Sequence, residues 1–464
     1  MIDYKMLLPE ISRIRELNYG KGRTAFVMTF GCQQNEADSE RVRGMLTDMG
    51  YTMAEDYSDA DIIVVNTCAI RAHAEDKALS VLGNFKAVKA KNPELIVCVI
   101  GCMASEPHIV ELLKTKFHYV SFTLEPNMLH KLPEAILAKL EDNRRSFILG
   151  MDNGEIFEGA PIQRMNAHRA WVSIMYGCNN FCSYCIVPYT RGRERSRDSA
   201  SVIDECRALI KDGVKEITLL GQNVNSYKSD VDFATLVERI ASLEGDFIIR
   251  FMTSNPKDVS DRLIEVMGKY TSKVAPYFHL PLQSGSNRIL KAMNRKYTKE
   301  SFLDIVDKLR GAVPQIALST DVILGFPGED ESDFLDTLDV LRRARFDLVY
   351  SFRFSPREGT PAAKMDNMPP PDVVDDRMER LLKMQDEISY ECNLPYVGRV
   401  ERVLVDAISK KSELGTYSAR TASNKLVHFA ANDVRIGEFI NVEIVKAGAF
   451  DLIGKIESEE YKND

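Results

Sequence analysis

The sequence predicts an α/β protein in three parts: an N-terminal open parallel-sheet domain, a central partial (β/α)6 barrel and a C-terminal small antiparallel β-barrel. Three observations carry this. Apolar runs alternate with helical stretches near the N-terminus, and the alternation restarts at Ala170 with six repeats. Past Pro395 it gives way to short strands with turns at Gly398, Gly415 and Gly437. At 464 residues the chain has room for several domains, each with its own core.

The first strands read TAFVMTF (24–30), DIIVVNT (61–67) and LIVCVIG (95–101). Apolar runs without alternation suit parallel strands covered on both faces. Helical segments such as Glu36 to Met49 lie between them, and this domain is placed at 22–140. A polar stretch, 141–167, contains MDNGEIFEGAP and reads as a linker. The barrel is placed at 168–394. Its strands read WVSIMYG (171–177), EITLLGQ (216–222), FIIRFMTS (247–254), YFHLPLQ (277–283), IALSTDVILGF (316–326) and LVYSFRF (348–354). Segments such as SVIDECRALIKDG and LIEVMGKY separate them as helices. Barrels of this kind carry their sites at the C-terminal ends of the strands. A long charged helix, Asp372 to Cys392, follows, and the small β-barrel is placed at 395–460.

A net charge of −8 excludes a global basic field that would recruit nucleic acid, so any such binding must be local. No run reaches the roughly 20 apolar residues of a membrane span. The start, MIDYKMLLPEISR, carries Asp3 and lacks the apolar stretch of an export signal, so a cytoplasmic protein without a membrane partner is expected. Nine cysteines in a reducing compartment point to metal or catalysis rather than disulfides.

GCNNFCSYC places Cys178, Cys182 and Cys185 at gaps of four and three. A helical stripe of core thiols would have this spacing, but Gly177, Asn179, Asn180 and Pro188 are loop formers. A zinc site would want a fourth ligand nearby, and the next Cys or His residues are Cys206 and His168. A cubane [4Fe–4S] cluster accepts three thiolates and leaves one iron open for another ligand. Cys32, Cys68 and Cys102 lie far apart in sequence, yet each sits just past an N-terminal strand, in TFGC, NTC and IGC. Parallel strands end at one edge, about 4.8 Å apart, so these thiols can converge and hold a second such cluster. Cys98 inside its strand, Cys206 on a helix and Cys392 read as structural.

These motifs carry a family resemblance. TFGCQQNEADSE, NTCAIRAHAEDK and IGCMASE resemble the N-terminal domain of the radical S-adenosylmethionine (SAM) methylthiotransferases. YGCNNFCSYCIVPYTRGRERSR resembles their radical SAM core, and the module with YSARTASNKLVHF resembles a TRAM domain, a barrel associated with RNA. The start around Cys32 and CIVPYTRGRERSR resemble the branch that modifies prenylated adenosine in tRNA. Gln34 departs from that branch, which more often has Met there.

The resemblance implies two [4Fe–4S] clusters and SAM as cofactors. The open iron of the barrel cluster would chelate SAM, and one electron would cleave it to a 5′-deoxyadenosyl radical. Tyr184 matches a position near the SAM adenine, and Gln222 one that binds the SAM amino group. Ser254, Gln283, Arg295 and Asp321 lie at or beyond later strand ends and are further candidates to contact the cofactor. Arg191, Arg193, Arg195 and Arg197 alternate after the cysteine loop with Glu194 as the only acid. They are candidates for tRNA backbone or SAM carboxylate contacts. The last module holds 10 Lys and Arg against 11 Asp and Glu and has no basic footprint. Lys410, Lys411, Arg420 and Lys425 are its candidate patch.

The expectation is therefore methylthiolation of carbon 2 of N6-dimethylallyladenosine beside the tRNA anticodon, with two SAM molecules. It implies tRNA with prenylated adenosine as partner, a flavodoxin- or ferredoxin-type electron donor, a sulfur donor and a monomeric enzyme. The sibling activities on a ribosomal-protein aspartate or on threonylcarbamoyl-adenosine are the alternatives. A more distant one is an RNA-binding iron–sulfur sensor that cleaves no SAM.

Overall fold

Two adjacent strands of the N-terminal sheet, β2 (Ile62–Thr67) and β3 (Ile96–Gly101), are buried at every residue. That is what their unbroken apolar runs require. In this computed structural model residues 1–69, 72–147, 155–313, 315–410 and 415–456 are described. The chain divides into two compact units. The first comprises Met1–Met165, Met175–Phe181 and Cys185–Arg197; the second comprises Asn166–Ile174, Cys182–Tyr184 and Asp198–Asp464.

In the first unit, β1 (Thr24–Thr29), β2, β3 and β4 (Val120–Leu124) form the middle of a six-stranded sheet. Thr52–Met53 flanks β1, Ser146–Phe147 flanks β4, and all five pairings are parallel. Alternate residues feed two separate cores. Ile62, Val64, Ile96 and Cys98 pack with Val42, Met45 and Leu46 of helix α1 (Gln33–Asp48). Ile63, Val65, Val97 and Val99 pack with Leu82 and Phe85 of α2 (Ala72–Lys91). The period of two along each strand thus makes helix, sheet and helix layers. The described parts of 141–167 are tied to this unit by hydrogen bonds. Ile2–Asp3 pairs with Phe157–Glu158, and the Gln163 N–H donates to the Glu40 carbonyl at 3.0 Å.

The second unit contains the six expected barrel strands. β5 (Arg169–Ser173), β6 (Glu216–Leu220) and β7 (Ile248–Phe251) form one parallel ladder. β8 (Tyr277–His279), β9 (Ala317–Leu324) and β10 (Leu348–Arg353) form another. Ile249 also exchanges hydrogen bonds with Lys273 and Ala275, at 2.7 and 2.9 Å. β8 begins just after Pro276, whose carbonyl accepts from the Ala317 N–H at 2.9 Å. A long helix, α3 (Pro371–Asn393), leads to the last module. Among the described residues no helix is long and apolar enough to cross a membrane.

The last module is a closed barrel in the order β11 (Val400–Ile408), β12 (Tyr417–Thr421), β13 (Leu426–Ala430), β15 (Leu452–Ile456), β14 (Phe439–Ala447). Four pairings are antiparallel, as expected, and β13–β15 is parallel. An odd number of strands cannot alternate direction around a closed ring, so one parallel pair is forced. The module packs on β5–β7 through buried charge. Arg250 pairs with Glu216 at 2.6 Å and donates to the carbonyls of Ala422 and Thr421 at 2.7 and 2.9 Å. Lys425 pairs with Asp347.

Candidate functional site

The C-terminal edge of the first sheet gathers the N-terminal cysteines. Thr67 and Gly101 are register partners, so Cys68 and Cys102 leave neighbouring strands side by side. Cys32 lies three residues past β1 and caps the N-terminus of α1. A Cβ added at Gly31 would sit 3.0 Å from the Cys68 Cβ, which brings the Cys32 loop against Cys68. Gly101 has φ +93°, and a Cβ there would come within 2.4 Å of the Thr67 carbonyl oxygen. Only glycine fits that backbone, and it is what turns the chain into Cys102.

A buried amide pair fixes this edge. Asn35 donates to Asn66 Oδ1 and to the Thr67 carbonyl, both at 2.9 Å. Asn66 returns bonds to the Asn35 carbonyl at 2.8 Å and to Ser39 Oγ at 3.0 Å. The Cys32 thiol donates to Asn35 Oδ1 at 3.3 Å. Into the same edge comes Arg191, buried, with Nε donating to Cys102 Sγ at 3.2 Å and Nη1 and Nη2 to Asp38 Oδ2 at 3.3 Å. Burial pushes the Cys102 thiol up, and Arg191 offsets only part of that. Burial alone would loosen the Arg191 proton, but Cys102, Asp38 and Cys32 outweigh it and keep the guanidinium charged.

The second set of cysteines lies on the loop that passes between the two units: Cys178 and Cys185 belong to the first, Cys182 to the second. In the first unit, Met175–Tyr176 pairs antiparallel with Arg195–Ser196. The Cys178 N–H donates to the Gly192 carbonyl at 3.1 Å, and Asn180 Nδ2 to Cys178 Sγ at 3.3 Å. Gly177, at φ +74°, leaves room for the Arg193 carbonyl, 2.0 Å from where a Cβ would stand. In the second unit, Ser183 bonds to Met293 and Ala292, and Arg295 Nη1 donates to Cys182 Sγ at 3.3 Å.

Among the described residues no three His, Cys, Asp or Glu side chains stand close enough to share one metal ion. A cubane binds each thiolate to a different iron and so spaces the thiolates more widely than one ion does. The thiols of Cys32, Cys68 and Cys102 converge, and a cationic N–H donates to a thiol in each set; that donor chemistry is what such a cluster takes, and the residues present fit it. Cys98 and Cys206 are fully buried, and Cys392 donates to the Arg345 carbonyl.

The other candidates lie past the barrel strands. Tyr184 packs on the cluster of Ile289, Met293, Phe326 and Ala362. Gln222 is half-buried just beyond β6. Ser254 is buried beyond β7, and its Oγ has no hydrogen-bond partner among the described residues; the same holds for Asn223 Oδ1. Two unpaired buried oxygens at these strand ends suit a polar ligand. Gln283 takes a left-handed backbone (φ +67°), with its N–H on the Asp321 carbonyl at 2.7 Å. Asp321 faces His279 at 3.4 Å, and His279 Nδ1 meets Ser319 Oγ at 2.8 Å. Arg295 turns to Cys182, to Tyr297 OH at 2.9 Å and to the Pro281 carbonyl at 3.2 Å.

The arginine run is dispersed. Arg191 lies inside, at Cys102 and Asp38, instead of facing solvent. Arg193 stacks on Phe181 at 4.3 Å, Arg195 donates to Asn127 Oδ1 at 2.8 Å, and Arg197 pairs with Glu158 at 2.5 Å. The expected patch on the last module is also broken up. Arg420 is half-buried near Asp406 at 3.8 Å, Lys425 is held by Asp347, Lys410 is exposed, and Lys411 lies outside the described residues. Asp38, Asn35 and Asn66 went unnoticed in the sequence. The signal was present: polar Asn35, Asp38 and Ser39 follow Cys32 at one-turn spacing where a helix would bury apolar residues.

Comparisons with known proteins assign three parts of the chain to known families. Residues 172–341 match the radical SAM superfamily, 24–124 the uncharacterized protein family UPF0004, and 395–456 the TRAM domain. A tRNA-2-methylthio-N6-dimethylallyladenosine synthase from Alkaliphilus oremlandii is 46% identical, over 97% of this chain and 96% of that protein. Similarly named proteins from Thermoanaerobacter sp. X514 and Clostridioides difficile are each 45% identical, over 96% and 94% of this chain and 95% and 92% of theirs. Among solved structures, the radical SAM methyltransferase TsrM from Kitasatospora setae, with tryptophan and a SAM analogue bound, shares the fold at 12% identity. Its TM-score is 0.53, over 71% of this chain and 72% of that one. At such identity and near-complete coverage, this chain belongs to the tRNA-2-methylthio-N6-dimethylallyladenosine synthase family of radical SAM enzymes, which use [4Fe–4S] and SAM.

Proposed function

We propose that this chain methylthiolates carbon 2 of N6-dimethylallyladenosine beside the tRNA anticodon, using two [4Fe–4S] clusters and two SAM molecules. The observation that carries this is the convergence of Cys32, Cys68 and Cys102 at one sheet edge, beside a separate CxxxCxxC loop, in a chain 46% identical to a synthase of that name. Cys32, Cys68 and Cys102 hold one cluster, and Cys178, Cys182 and Cys185 the other. When bound, the clusters and SAM supply one-electron chemistry that reaches an aryl C–H with no useful acidity.

The chain's own groups bind and orient. Ser254 Oγ and Asn223 Oδ1 offer buried polar contacts to the SAM bound over the barrel, with Gln222 and Gln283 beside them. Tyr184 presents its ring to the adenine. Asp321 is steadied by His279, whose own ring is held by Ser319. Buried Asn35 and Asn66 keep water from the N-terminal edge and hold the Cys32 loop in place.

The tRNA phosphates meet Arg193 and Arg195, the members of the run on the cysteine hairpin, where one stacks on Phe181 and the other donates to Asn127. The module after 395 positions the tRNA, and 22–140 and 168–394 are the two catalytic domains. A cytoplasmic monomer fed by a flavodoxin- or ferredoxin-type reductant and a sulfur donor completes the reading. Mass spectrometry of tRNA nucleosides from cells with and without the protein tests it. The methylthio nucleoside should disappear while its unthiolated precursor accumulates. Unchanged nucleosides would refute the assignment.

A further inference from the structure

In each set of cysteines a guanidinium donates to one of the thiols. Arg191 Nε donates to Cys102 Sγ at 3.2 Å, and Arg295 Nη1 donates to Cys182 Sγ at 3.3 Å. The two are held differently. Arg191 is buried with both Nη atoms on the Asp38 carboxylate. Arg295 is held by the Tyr297 hydroxyl and the Pro281 carbonyl, neither of which carries charge. Asp38 is itself fixed, with Gln34 Nε2 donating to its Oδ1 at 3.2 Å. Asn127 and Arg195 both donate to the Arg191 carbonyl at 3.2 Å, so the backbone that carries the guanidinium is pinned as well.

We propose that Arg191 and Arg295 are positioning residues that set the reduction potentials of the two clusters, and that Asp38 pulls the N-terminal potential back down. The proposal rests on the reading that these cysteines hold clusters. Its physics is simple. Reduction adds negative charge to a cluster whose thiolates already carry it. A cationic N–H donor on a thiolate sulfur stabilises the reduced form more than the oxidised form and raises the potential. A carboxylate behind that donor opposes the effect. The protein thereby sets two clusters of like chemistry at different potentials, with a carboxylate behind the N-terminal donor. Such supporting bonds to ligating atoms typically matter 10- to 100-fold.

The test uses the full chain, loaded anaerobically with iron and sulfide. Cys178, Cys182 and Cys185 are changed to Ala so that only the N-terminal set remains. Iron is counted first. About four irons are expected; none would overturn the underlying reading and the proposal with it. The cluster is then titrated with mediators and followed by electron paramagnetic resonance. Arg191→Met should shift the ratio of reduced to oxidised cluster at fixed potential about tenfold towards oxidised, which is a fall of about 59 mV for one electron. Asp38→Asn should shift the potential the other way. Arg191→Lys keeps the charge without the planar donor and should fall by less. If Arg191→Met loses its irons, Arg191→Lys and Asp38→Asn decide by their opposite signs. In the converse background, with Cys32, Cys68 and Cys102 as Ala, Arg295→Met should likewise lower the potential. A merely structural role would alter iron content but not move a retained cluster's potential in opposite directions. Iron-replete variants that all titrate with the parent protein overturn the proposal.

Discussion

Removing the Arg250 guanidinium should loosen the last barrel from the strands it rests on. Arg250 is 6% exposed and makes three strong bonds within the second unit. One is an ion pair with Glu216 at 2.6 Å, and two reach the carbonyls of Ala422 and Thr421 at 2.7 and 2.9 Å. Hydrogen bonds to charged groups contribute about 1.5–3 kcal/mol each. The sum overstates the loss, because Arg169 stays within 3.2 Å of Glu216 and still compensates that carboxylate. Breaking one partner out of a buried pair costs about 3–5 kcal/mol, and Arg250→Met should fall there. A multidomain chain gives no single unfolding free energy, so the measurement must be local. Amide hydrogen exchange across β12 and β13 should accelerate by about two to three orders of magnitude, at 1.4 kcal/mol per decade, while β1–β4 stay unchanged. The carboxylate supplies a second signature. Burial alone would raise Glu216, but Arg250 and Arg169 outweigh it and hold it below its usual 4.5. A depressed folded pKa gives stability that is present above the unfolded value and lost as pH falls through the folded one. Protection of β12 in the parent protein should therefore fade below about pH 4.5. Equal exchange in Arg250→Met and parent protein at pH 7 would refute the idea that this charge network docks the module.

Three further outcomes are expected. Cys178→Ala should abolish 5′-deoxyadenosine formation with dithionite, whereas Cys68→Ala should retain it, keep about four of about eight irons and yield no methylthiolated nucleoside; a Cys68→Ala protein with four irons and no 5′-deoxyadenosine would refute this division of roles. Cys98→Ser and Cys206→Ser should leave iron content unchanged but speed amide exchange in the surrounding element by about one to two orders of magnitude, since each places a hydroxyl at a fully buried site. Gly101→Ala should strip iron from the N-terminal set, because its φ of +93° and the Thr67 carbonyl at 2.4 Å leave no room for a methyl group; an iron count equal to the parent's would show that the turn into Cys102 can relax.

Much of the fold was legible because burial on both faces writes itself into sequence as unbroken apolar runs. That is why 61–67 and 95–101 could be placed to within a residue or so of β2 and β3. β4 escaped because VSFTL is short and alternates polar with apolar, although it is buried throughout. The convergence of Cys32, Cys68 and Cys102 was legible because parallel strands share an edge. The destination of Arg191 was not. Its partners, Cys102 and Asp38, lie 89 and 153 residues away, and no local period encodes so distant a pairing. A run of alternating arginines reads as a solvated face until the partners that bury it are known. The same holds for Lys425, whose carboxylate partner Asp347 lies 78 residues away.

The chain passes between its two units four times, at 165–166, 174–175, 181–182 and 184–185, before leaving the first for good after Arg197. This dictates an order of assembly during synthesis. The parallel sheet and its helices are all translated by residue 147, yet the unit they build still lacks Met175–Phe181 and Cys185–Arg197. Until those emerge, Asp38 and Cys102 stand without the guanidinium that compensates them. At typical elongation rates of about 5–20 residues per second the wait lasts a few seconds. A nascent first domain therefore carries Cys102 and Asp38 before Arg191 can reach them. No single cut between 147 and 197 would leave both units whole.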